Sequence, residues 1–437
     1  MIIDFSVRNV ASIKDFQTFS FEANDQIKDL EDYYVVEPVP GVKLLKLGLI
    51  YGANASGKST VLKALMLLFR LMTTVRDAKN TTIDYSRFKL SPETRLSDSS
   101  YIIRFIVGNQ CYKYEVEFND KCILDEYLCS FDPITDEETE ILTRTTDTEN
   151  QVAVVSISPS YCTDMDINKK FGDSMRWNET IFAGFQHVNA IFPTLKKIND
   201  WLENCCYPVI EPNTSLYDYV SKRIESGEIS KKNVIEMLRR ADLMIDDIAF
   251  REDDKIPEEL LLMMELAKSK GKVGEISHDI KSKHVEFHHI STSGDANLTY
   301  DEESLGTQRF YELCGLLDVM ANEPGVFTID EIDTSMHPDL LEYFLHAFIC
   351  NTNSSQIIAT IHNREILQNR ELLRTDTIWF TEKSEDGSTE LYSIEDFDPS
   401  IFTSDSSTYY RAYKNGRLGA KPKLGDYYIN LKHNGEA

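Results

Sequence analysis

Alternating apolar and polar positions over the first 51 residues predict short strands separated by polar turns. The segments with this alternation are "IIDFSVRNV", "QTFSFEA" and "LLKLGLIYG". A helix is predicted from Ser59, because the apolar residues after it have the spacing of one buried helical face: Val61, Ala64, Leu65 and Leu68. The chain therefore begins with strands, and its first long helix follows them directly.

A second β-rich region follows this helix, and after it the periodicity becomes helical. Strands are predicted for "SYIIRFIVG", "CYKYEVEF" and "QVAVVSIS". Between about 165 and 285 we expect helices of mixed charge over "NAIFPTLKKINDWLENC", "SKKNVIEMLRRADLMIDDI" and "KIPEELLLMMELAKSK". No heptad register persists over three repeats, so a long coiled coil is not predicted.

The last third of the chain returns to a mixture of strands and helices. The segments "HVEFHHIST" and "ANLTYDEESLGTQ" predict a hairpin that returns to the first body. The strands "GVFTID", "SQIIATI" and "TDTIWFTE" then alternate with helices, as in a parallel sheet. The pattern predicts three regions: a first lobe over 1–164, a helical insert or short arm over 165–285, and a second lobe over 286–437.

The composition is that of a soluble globular protein with an acidic surface. Of 437 residues, 42% are apolar and 27% charged, and 46 basic against 72 acidic side chains give a net charge of -26. Such a surface repels phosphate backbones on average, so binding to nucleic acid requires a local basic patch. The segment "YKNGRLGAKPKL" concentrates four cations, and it is either such a contact surface or a solvated tail: Lys414, Arg417, Lys421 and Lys423.

Other sequence features bear on location and on metal binding. The eight cysteines form no C-x-x-C pair, which argues against a zinc ribbon and fits a reducing compartment. The N-terminal residues have no signal-peptide core, and no apolar run is long enough for a membrane span. We therefore expect a cytoplasmic protein without a membrane partner.

The segment "GANASGKS" matches the phosphate-loop pattern G-x-x-x-x-G-K-[ST] without deviation. Gly52 and Gly57 let backbone N–H groups approach phosphate oxygens, and the following helix directs its positive end at the same charge. Lys58 is expected to reach the β- and γ-phosphates, and Ser59 to offer its hydroxyl to Mg²⁺. The remaining residues predicted to bind ATP are Asn54, Ala55, Ser56 and Thr60.

Two acidic residues follow the predicted apolar strand from Val326 to Ile329, where a metal ligand and a catalytic base are needed. Asp330, at the end of the strand, is predicted to serve the Mg²⁺ site. Glu331 is expected on the opposite side by strand alternation, as the general base for the attacking water. The alternative is a buried strand that ends in two solvated acids.

The order of the remaining motifs resembles that of ABC-type ATPases. "ESLGTQ" resembles their signature motif, and it carries Ser304, Gly306 and Gln308. Asp333 begins a D-loop-like segment, and His362 ends a strand where the family has its catalytic switch histidine. An ordinary helix cap and a structural strand-end histidine are the alternatives.

The resemblance implies an α/β fold and a shared active site. The expected fold is an ABC-type P-loop ATPase head: a mixed or parallel sheet with helices, an antiparallel β subdomain and a helical insert. In that family the signature residues contact nucleotide bound by another subunit, so ATP is sandwiched between two heads. No Q-loop glutamine can be assigned, because "YSRFKLSPE" lies in the expected region without one.

The opening "FSVRNVASIKDFQTFSFEA" resembles the first hairpin of SMC- and RecF-type heads. Several stretches, among them "YGANASGKST", "ESLGTQRFYEL" and "DEIDTSMHPDLL", are similar to stand-alone bacterial ATPases of phage defence, such as PARIS-type, AbiL-like and RloA-like systems. This resemblance implies a homo-oligomer, a nuclease-like effector encoded nearby and a phage trigger protein. The rival interpretations are an SMC-like DNA-repair ATPase that clamps DNA and a transporter subunit. His288 and His289, the nearest candidates for a nuclease site, are interpreted as structural.

Overall fold

The computed structural model describes residues 1–162, 166–253, 282–402 and 409–422. Contacts divide the chain into two compact units, each assembled from separate segments. The first unit comprises Met1–Ile210, Gly325–Ile332 and Gln356–Ala437. The second unit comprises Glu211–Pro324 and Asp333–Ser355. The chain therefore leaves the first unit twice and returns to it twice.

The strands of the described residues are numbered in chain order. They are β1 Ile2–Arg8, β2 Gln17–Ser20, β3 Val35–Val39, β4 Val42–Leu45, β5 Leu47–Gly52, β6 Ser99–Val107, β7 Gln110–Phe118, β8 Ile123–Phe131, β9 Glu138–Asp147, β10 Val152–Ile157, β11 Ile245–Asp253, β12 Ser282–Ser291, β13 Gly294–Thr299, β14 Gly325–Ile329, β15 Ser355–Thr360, β16 Ile378–Lys383 and β17 Thr389–Ser393.

The α-helices of the described residues are numbered in the same way. They are α1 Glu31–Tyr34, α2 Lys58–Thr73, α3 Ile167–Ser174, α4 Ile181–Phe185, α5 Pro193–Cys205, α6 Tyr217–Ser226, α7 Lys231–Arg240, α8 Leu305–Asn322, α9 Pro338–Asn351 and α10 Tyr409–Lys414. No helix in the described part of the chain combines the length and the apolar composition needed to cross a membrane.

A five-stranded mixed sheet in the first unit carries the phosphate loop. Its strand order is β14-β15-β5-β16-β17. β15 and β16 both pair with β5 in parallel, and β17 pairs with β16 in the antiparallel direction. Every residue of β5 is buried, which explains its continuous apolar sequence. The predicted mixed sheet is confirmed, and the carboxyl ends of β15, β5 and β16 lie along one edge of it.

An antiparallel sheet of seven strands is the largest sheet of the described residues. Its order is β10-β9-β8-β7-β6-β1-β2. In β10, buried and exposed residues alternate at every position, which is the period expected of a strand with one solvated face. The predicted antiparallel subdomain is thus confirmed.

The buried face of α2 includes all four residues that its periodicity indicated: Val61, Ala64, Leu65 and Leu68.

The second unit combines helices with a three-stranded sheet in the order β11-β12-β13. The predicted hairpin is present, because β12 and β13 pair in the antiparallel direction. The sequence suggested that this hairpin returns to the first body, but it belongs to the second unit. The predicted helix over "SKKNVIEMLRRADLMIDDI" ends at Arg240, and β11 begins at Ile245. Asp242 and Met244 have positive φ angles, which end the helix and turn the chain.

The unit boundaries fall at other positions than the three predicted regions. Helices α3 to α5 lie in the first unit, although the sequence placed them in the insert over 165–285. A physical reason is the packing of α5, whose Trp201 stacks on Phe105 of β6 at a centroid distance of 4.9 Å. The predicted helix "KIPEELLLMMELAKSK" and the cation Lys423 lie outside the described residues.

Candidate nucleotide-binding and hydrolysis site

The phosphate loop connects the end of β5 to the start of α2, and its glycines are required by close contacts. Gly57 has a φ of +112°, and a Cβ atom there would lie 2.1 Å from Oγ1 of Thr389. A Cβ atom on Gly52 would lie 2.5 Å from Oγ1 of Thr381. Neither position therefore accommodates a side chain, and the loop backbone keeps its N–H groups close to the space where phosphates would bind.

Lys58 is buried at the first position of α2, and its ammonium group bonds back to the start of the loop. Its Nζ donates hydrogen bonds to the carbonyl oxygens of Gly52 at 2.9 Å and Ala53 at 3.1 Å. The side chain is held at the mouth of the loop, where a triphosphate would meet its positive charge.

A chain of hydroxyl groups braces the loop from neighbouring strands. Ser56 Oγ contacts Thr381 Oγ1 of β16 at 2.6 Å, and Thr389 Oγ1 of β17 donates to the Ser56 carbonyl at 3.0 Å. Ser12, between β1 and β2, contacts Thr389 Oγ1 at 2.7 Å and donates to Thr60 Oγ1 at 3.1 Å. Thr60, predicted to bind nucleotide, is thus joined to the N-terminal hairpin. The sequence analysis did not identify Ser12, Thr381 or Thr389.

Asp330 follows β14 directly and is joined to the phosphate loop through Ser59. Oδ1 of Asp330 accepts hydrogen bonds from Ser59 Oγ at 3.0 Å and from Thr360 Oγ1 at 2.6 Å. Its backbone N–H donates to the carbonyl of Ile210 at 2.9 Å. The two residues predicted to serve the metal, Ser59 and Asp330, therefore lie in direct contact in the first unit.

A turn sets the position of Glu331, whereas strand alternation was predicted to set it. β14 ends at Ile329, and Glu331 lies in a turn with a φ of +49°, so strand alternation does not set its direction. Its backbone N–H donates to Thr360 Oγ1 at 2.7 Å. Its Oε1 lies 3.2 Å from Nε2 of His362, in contact with the predicted switch histidine. The turn brings Glu331 and His362 together beside the loop.

Several of these residues line one open cleft in the first unit. It has a volume of about 330 Å³, and its lining includes Ser12, Asn54, Ala55, Gly57, Lys58, Ser59, Thr60, Glu331, His362 and Lys383. No group of three or more His, Cys, Asp or Glu side chains suited to a metal ion occurs within the described ranges. A hydroxyl with one carboxylate is the donor set expected for Mg²⁺ that takes its other ligands from phosphates and water.

The other predicted binding residues lie in the second unit. Ser304 caps α8, where its Oγ accepts a hydrogen bond from the Thr307 backbone N–H at 3.1 Å, and it is exposed. Gln308 Nε2 donates to the carbonyl oxygens of Tyr300 at 2.8 Å and Glu303 at 3.1 Å, so this side chain anchors the preceding loop. Ser304 therefore makes the helix-cap contact that was the alternative interpretation of this motif.

Gly306 and Asp333 belong to neighbouring segments of the second unit. A Cβ atom on Gly306 would lie 3.0 Å from the carbonyl oxygen of Ser335, two residues after Asp333. The start of α8 therefore packs closely on the segment that resembles a D-loop. Ser335 has a φ of +64°, in the left-handed region, so the backbone of this segment is turned sharply.

The two adjacent histidines of β12 have separate partners. Nδ1 of His288 lies 2.5 Å from Asp246, and Nε2 of His289 lies 2.5 Å from Glu303. The hydrogen bond with Asp246 raises the pKa of His288 above its usual value. These contacts join β12 to two other segments of the second unit, and they fit the structural role that the sequence suggested.

Comparison with known proteins identifies one family. The family model described as "AAA domain, putative AbiEii toxin, Type IV TA system" matches residues 49–151 and 219–368. The matched segments include the phosphate loop from Gly52, the signature-like motif, both acidic residues after β14, and His362. A search of curated proteins found no match.

The structure is also similar to solved SMC heads at low sequence identity. An SMC head domain from Thermotoga maritima is 10% identical, with a TM-score of 0.41, and covers 90% of this chain and 98% of its own. An SMC head bound to the C-terminal winged-helix domain of ScpA is 12% identical, with a TM-score of 0.43, covering 90% and 99%. A third, from Pyrococcus furiosus and bound to the C-terminal domain of ScpA, is 11% identical with a TM-score of 0.40, covering 95% and 98%.

Proposed function

Because the chain belongs to the AAA-domain family whose model matches more than half of it, we propose that it is an ATPase that binds and hydrolyses ATP in the cleft of the first unit. The observation that carries the proposal is the contact of Ser59 Oγ with Asp330 at 3.0 Å beside the contact of Glu331 with His362 at 3.2 Å. A phosphate loop, a metal-binding pair and a base for water are the parts that phosphoryl transfer requires.

Each part has a defined task in the proposed reaction. The loop N–H groups and Lys58 bind the phosphates and hold the γ-phosphoryl group in position. Ser59 and Asp330 would hold Mg²⁺, which supplies charge neutralisation on the phosphates when bound. Glu331 accepts the proton of the attacking water, and His362 orients the Glu331 carboxylate for this transfer. The exposed position of His362 and the open cleft give water access to the carboxylate.

Replacement of Glu331 by Gln tests this proposal. The amide cannot take up the proton, so we expect ATP hydrolysis to fall at least about 100-fold while ATP binding persists, since one positioned base contributes roughly 10²–10⁴-fold. The measurements are phosphate release and retention of radiolabelled ATP on the purified chain. Glu365→Gln is the matched control, because Glu365 is an exposed carboxylate three residues after His362 and outside the cleft lining. Hydrolysis by Glu331→Gln at the parental rate would refute the assignment of the base.

We propose further that ATP joins two copies of the chain head to head. Support comes from Ser304, which is exposed at the start of α8, and from the exposed Leu305 beside it. A serine hydroxyl and a helix N-terminus suit contact with a phosphate held by a second copy. In this arrangement Ser304, Gly306 and Asp333 complete the site of the partner copy, and a single head is a poor enzyme.

We also propose that the ATPase controls a separate effector in bacterial anti-phage defence. Support comes from the family description, which names a toxin and a toxin–antitoxin system, and from the sequence resemblance to defence ATPases. The effector is expected to be a nuclease or toxin encoded nearby, with a phage protein as trigger, and the location is expected to be cytoplasmic. Co-expression with the product of the neighbouring gene tests this: complex formation that depends on ATP supports it, and association with a membrane permease instead would overturn it.

A DNA-repair ATPase that clamps duplex DNA is the second candidate. The described cations of the C-terminal basic segment favour it: Lys414, Arg417 and Lys421. The net charge of -26 opposes it, because phosphate backbones are repelled by most of the surface. DNA binding that weakens with salt and strengthens with ATP would favour this candidate, since phosphate contacts release counterions.

A further inference from the structure

Lys383 lies at the carboxyl end of β16, the strand next to the one that leads into the phosphate loop. β16 pairs with β5 in parallel, with Thr381 opposite Gly52. Thr381 faces the loop, because its Oγ1 contacts Ser56 Oγ at 2.6 Å. Residues two apart on a strand share a face, so Lys383 emerges beside the loop as well, about 7 Å further along the strand.

The ammonium group of Lys383 is at the surface of the cleft. Its Nζ donates to the carbonyl oxygen of Ala55, at the tip of the loop, at 3.4 Å. A contact of this length is weak, and a lysine ammonium has three donors, so its remaining donors can serve a ligand. Lys383 is exposed, and it lines the same cleft as Lys58, Ser59 and Glu331.

The charge environment of Lys383 differs from that of the nearby lysine Lys14. Nζ of Lys14 lies 2.8 Å from Asp386, in the turn that follows β16, and this hydrogen bond lowers the pKa of the Asp386 carboxyl below its usual range. No carboxylate forms an ion pair with Lys383 anywhere in the described part of the chain. The protein has 72 acidic and 46 basic residues, so an exposed lysine without a carboxylate partner is unexpected. Its position beside a phosphate loop offers a reason for that charge.

We propose that Lys383 is a second phosphate-binding lysine of this site, which contacts the phosphate chain of the bound nucleotide in addition to Lys58. This inference rests on the proposed ATPase function. Lys58 is held by two loop carbonyls, and the only carboxylate among the cleft-lining residues is Glu331, which repels a triphosphate. A second cation at the loop tip offsets that repulsion and contributes a charge-assisted contact.

Equilibrium binding of Mg·ATP and Mg·ADP to the full chain tests the proposal. Lys383→Met removes the charge with little change in side-chain length, and we expect ATP to bind roughly tenfold more weakly or worse, as for loss of one hydrogen bond to a charged group. Lys383→Arg keeps the charge and should stay within about threefold of the parent chain. Lys14→Met removes a charge of the same sign from the same region, and it should also stay within about threefold, because that lysine is engaged with Asp386.

A salt titration separates a phosphate contact from a purely structural role in the loop. If Lys383 contacts phosphate, the affinity of Lys383→Met for ATP should depend less steeply on salt concentration than that of the parent chain. Unchanged ATP affinity in Lys383→Met, or weaker affinity with an unchanged salt dependence, would overturn the proposal. Loss of ATP but not ADP affinity assigns the contact to the γ-phosphate, and loss of both assigns it to the α- or β-phosphate. Failure of the parent chain to bind ATP would instead refute the proposed function.

Discussion

Thr360 joins the two acidic residues that follow β14. Its hydroxyl donates to Oδ1 of Asp330 at 2.6 Å and accepts the backbone N–H of Glu331 at 2.7 Å. Thr360 is fully buried at the end of β15, and β15 lies beside β14 in the sheet. One hydroxyl therefore fixes the carboxylate proposed for Mg²⁺ and the backbone of the proposed base.

Thr360→Val should lower ATP hydrolysis by about tenfold or more, because loss of the hydroxyl releases both acidic residues from their positions. The partly buried N–H of Glu331 would also lose its acceptor, at a cost of up to about 3 kcal/mol in the free energy of unfolding. Phosphate release and urea denaturation measure the two effects. Thr360→Ser keeps the hydroxyl and should remain close to the parent chain. Parental hydrolysis by the Val variant would show that Thr360 does not position the site.

Lys58→Ala should reduce ATP affinity about 100-fold or more, because the loop would lose the cation that meets the β- and γ-phosphates. The dissociation constant for Mg·ATP is the measurement. Lys63→Ala is the matched control, since Lys63 is an exposed lysine on the same helix. Unchanged affinity in Lys58→Ala would remove the phosphate-loop assignment.

Ser304→Arg should prevent the ATP-dependent assembly of two heads, because a long charged side chain would replace the hydroxyl at the start of α8. The test is sedimentation velocity with ATP in the Glu331→Gln background, where the assembled state should be long-lived. Ser230→Arg is the control, because Ser230 caps α7 in the same unit in the same way. If the Ser304→Arg chain still assembles with ATP, or if the parent chain stays monomeric yet fully active, the sandwich proposal is wrong.

The contact of His288 with Asp246 should make stability depend on pH. The folded-state pKa of His288 is raised, so the contact stabilises the folded chain fully below the unfolded pKa of about 6.5. That contribution is lost as the pH rises through the folded value. We therefore expect His288→Asn to lower the melting temperature more at pH 5.5 than at pH 8.5. Asp246→Asn should produce the same pH dependence; an equal effect of His288→Asn at both pH values would contradict the prediction.

Residues that form the site within one short segment could be predicted from the sequence. The phosphate loop is contiguous, and Asp330 follows a recognisable apolar strand, so local pattern was sufficient to place both directly after strands. Strand alternation was predicted to set the direction of Glu331, but a turn with a left-handed φ sets it. Such a φ in a glutamate leaves no signature in the sequence.

Residues that depend on sheet register could not be placed in advance. Thr360 and Lys383 come from strands far from the loop in the chain, and only the pairing of β5 with β15 and β16 brings them to it. Ser12 reaches the loop through its contact with Thr389 of β17. One general signal was available for Lys383, because ligands of parallel sheets bind at the carboxyl ends of the strands. The change from α7 to β11 was missed because short apolar runs fit either period.

The points where the chain passes between the two units lie close in sequence to the two carboxylates of the site. The chain crosses from one unit to the other after Ile210, Pro324, Ile332 and Ser355. Three of these crossings adjoin β14 or its hydrogen-bonded neighbour, since the carbonyl of Ile210 accepts the N–H of Asp330 and Glu331 lies one residue before Ile332. Asp330 and Glu331 therefore lie within two residues of a connection to the second unit, whereas the phosphate loop adjoins none of the four crossings.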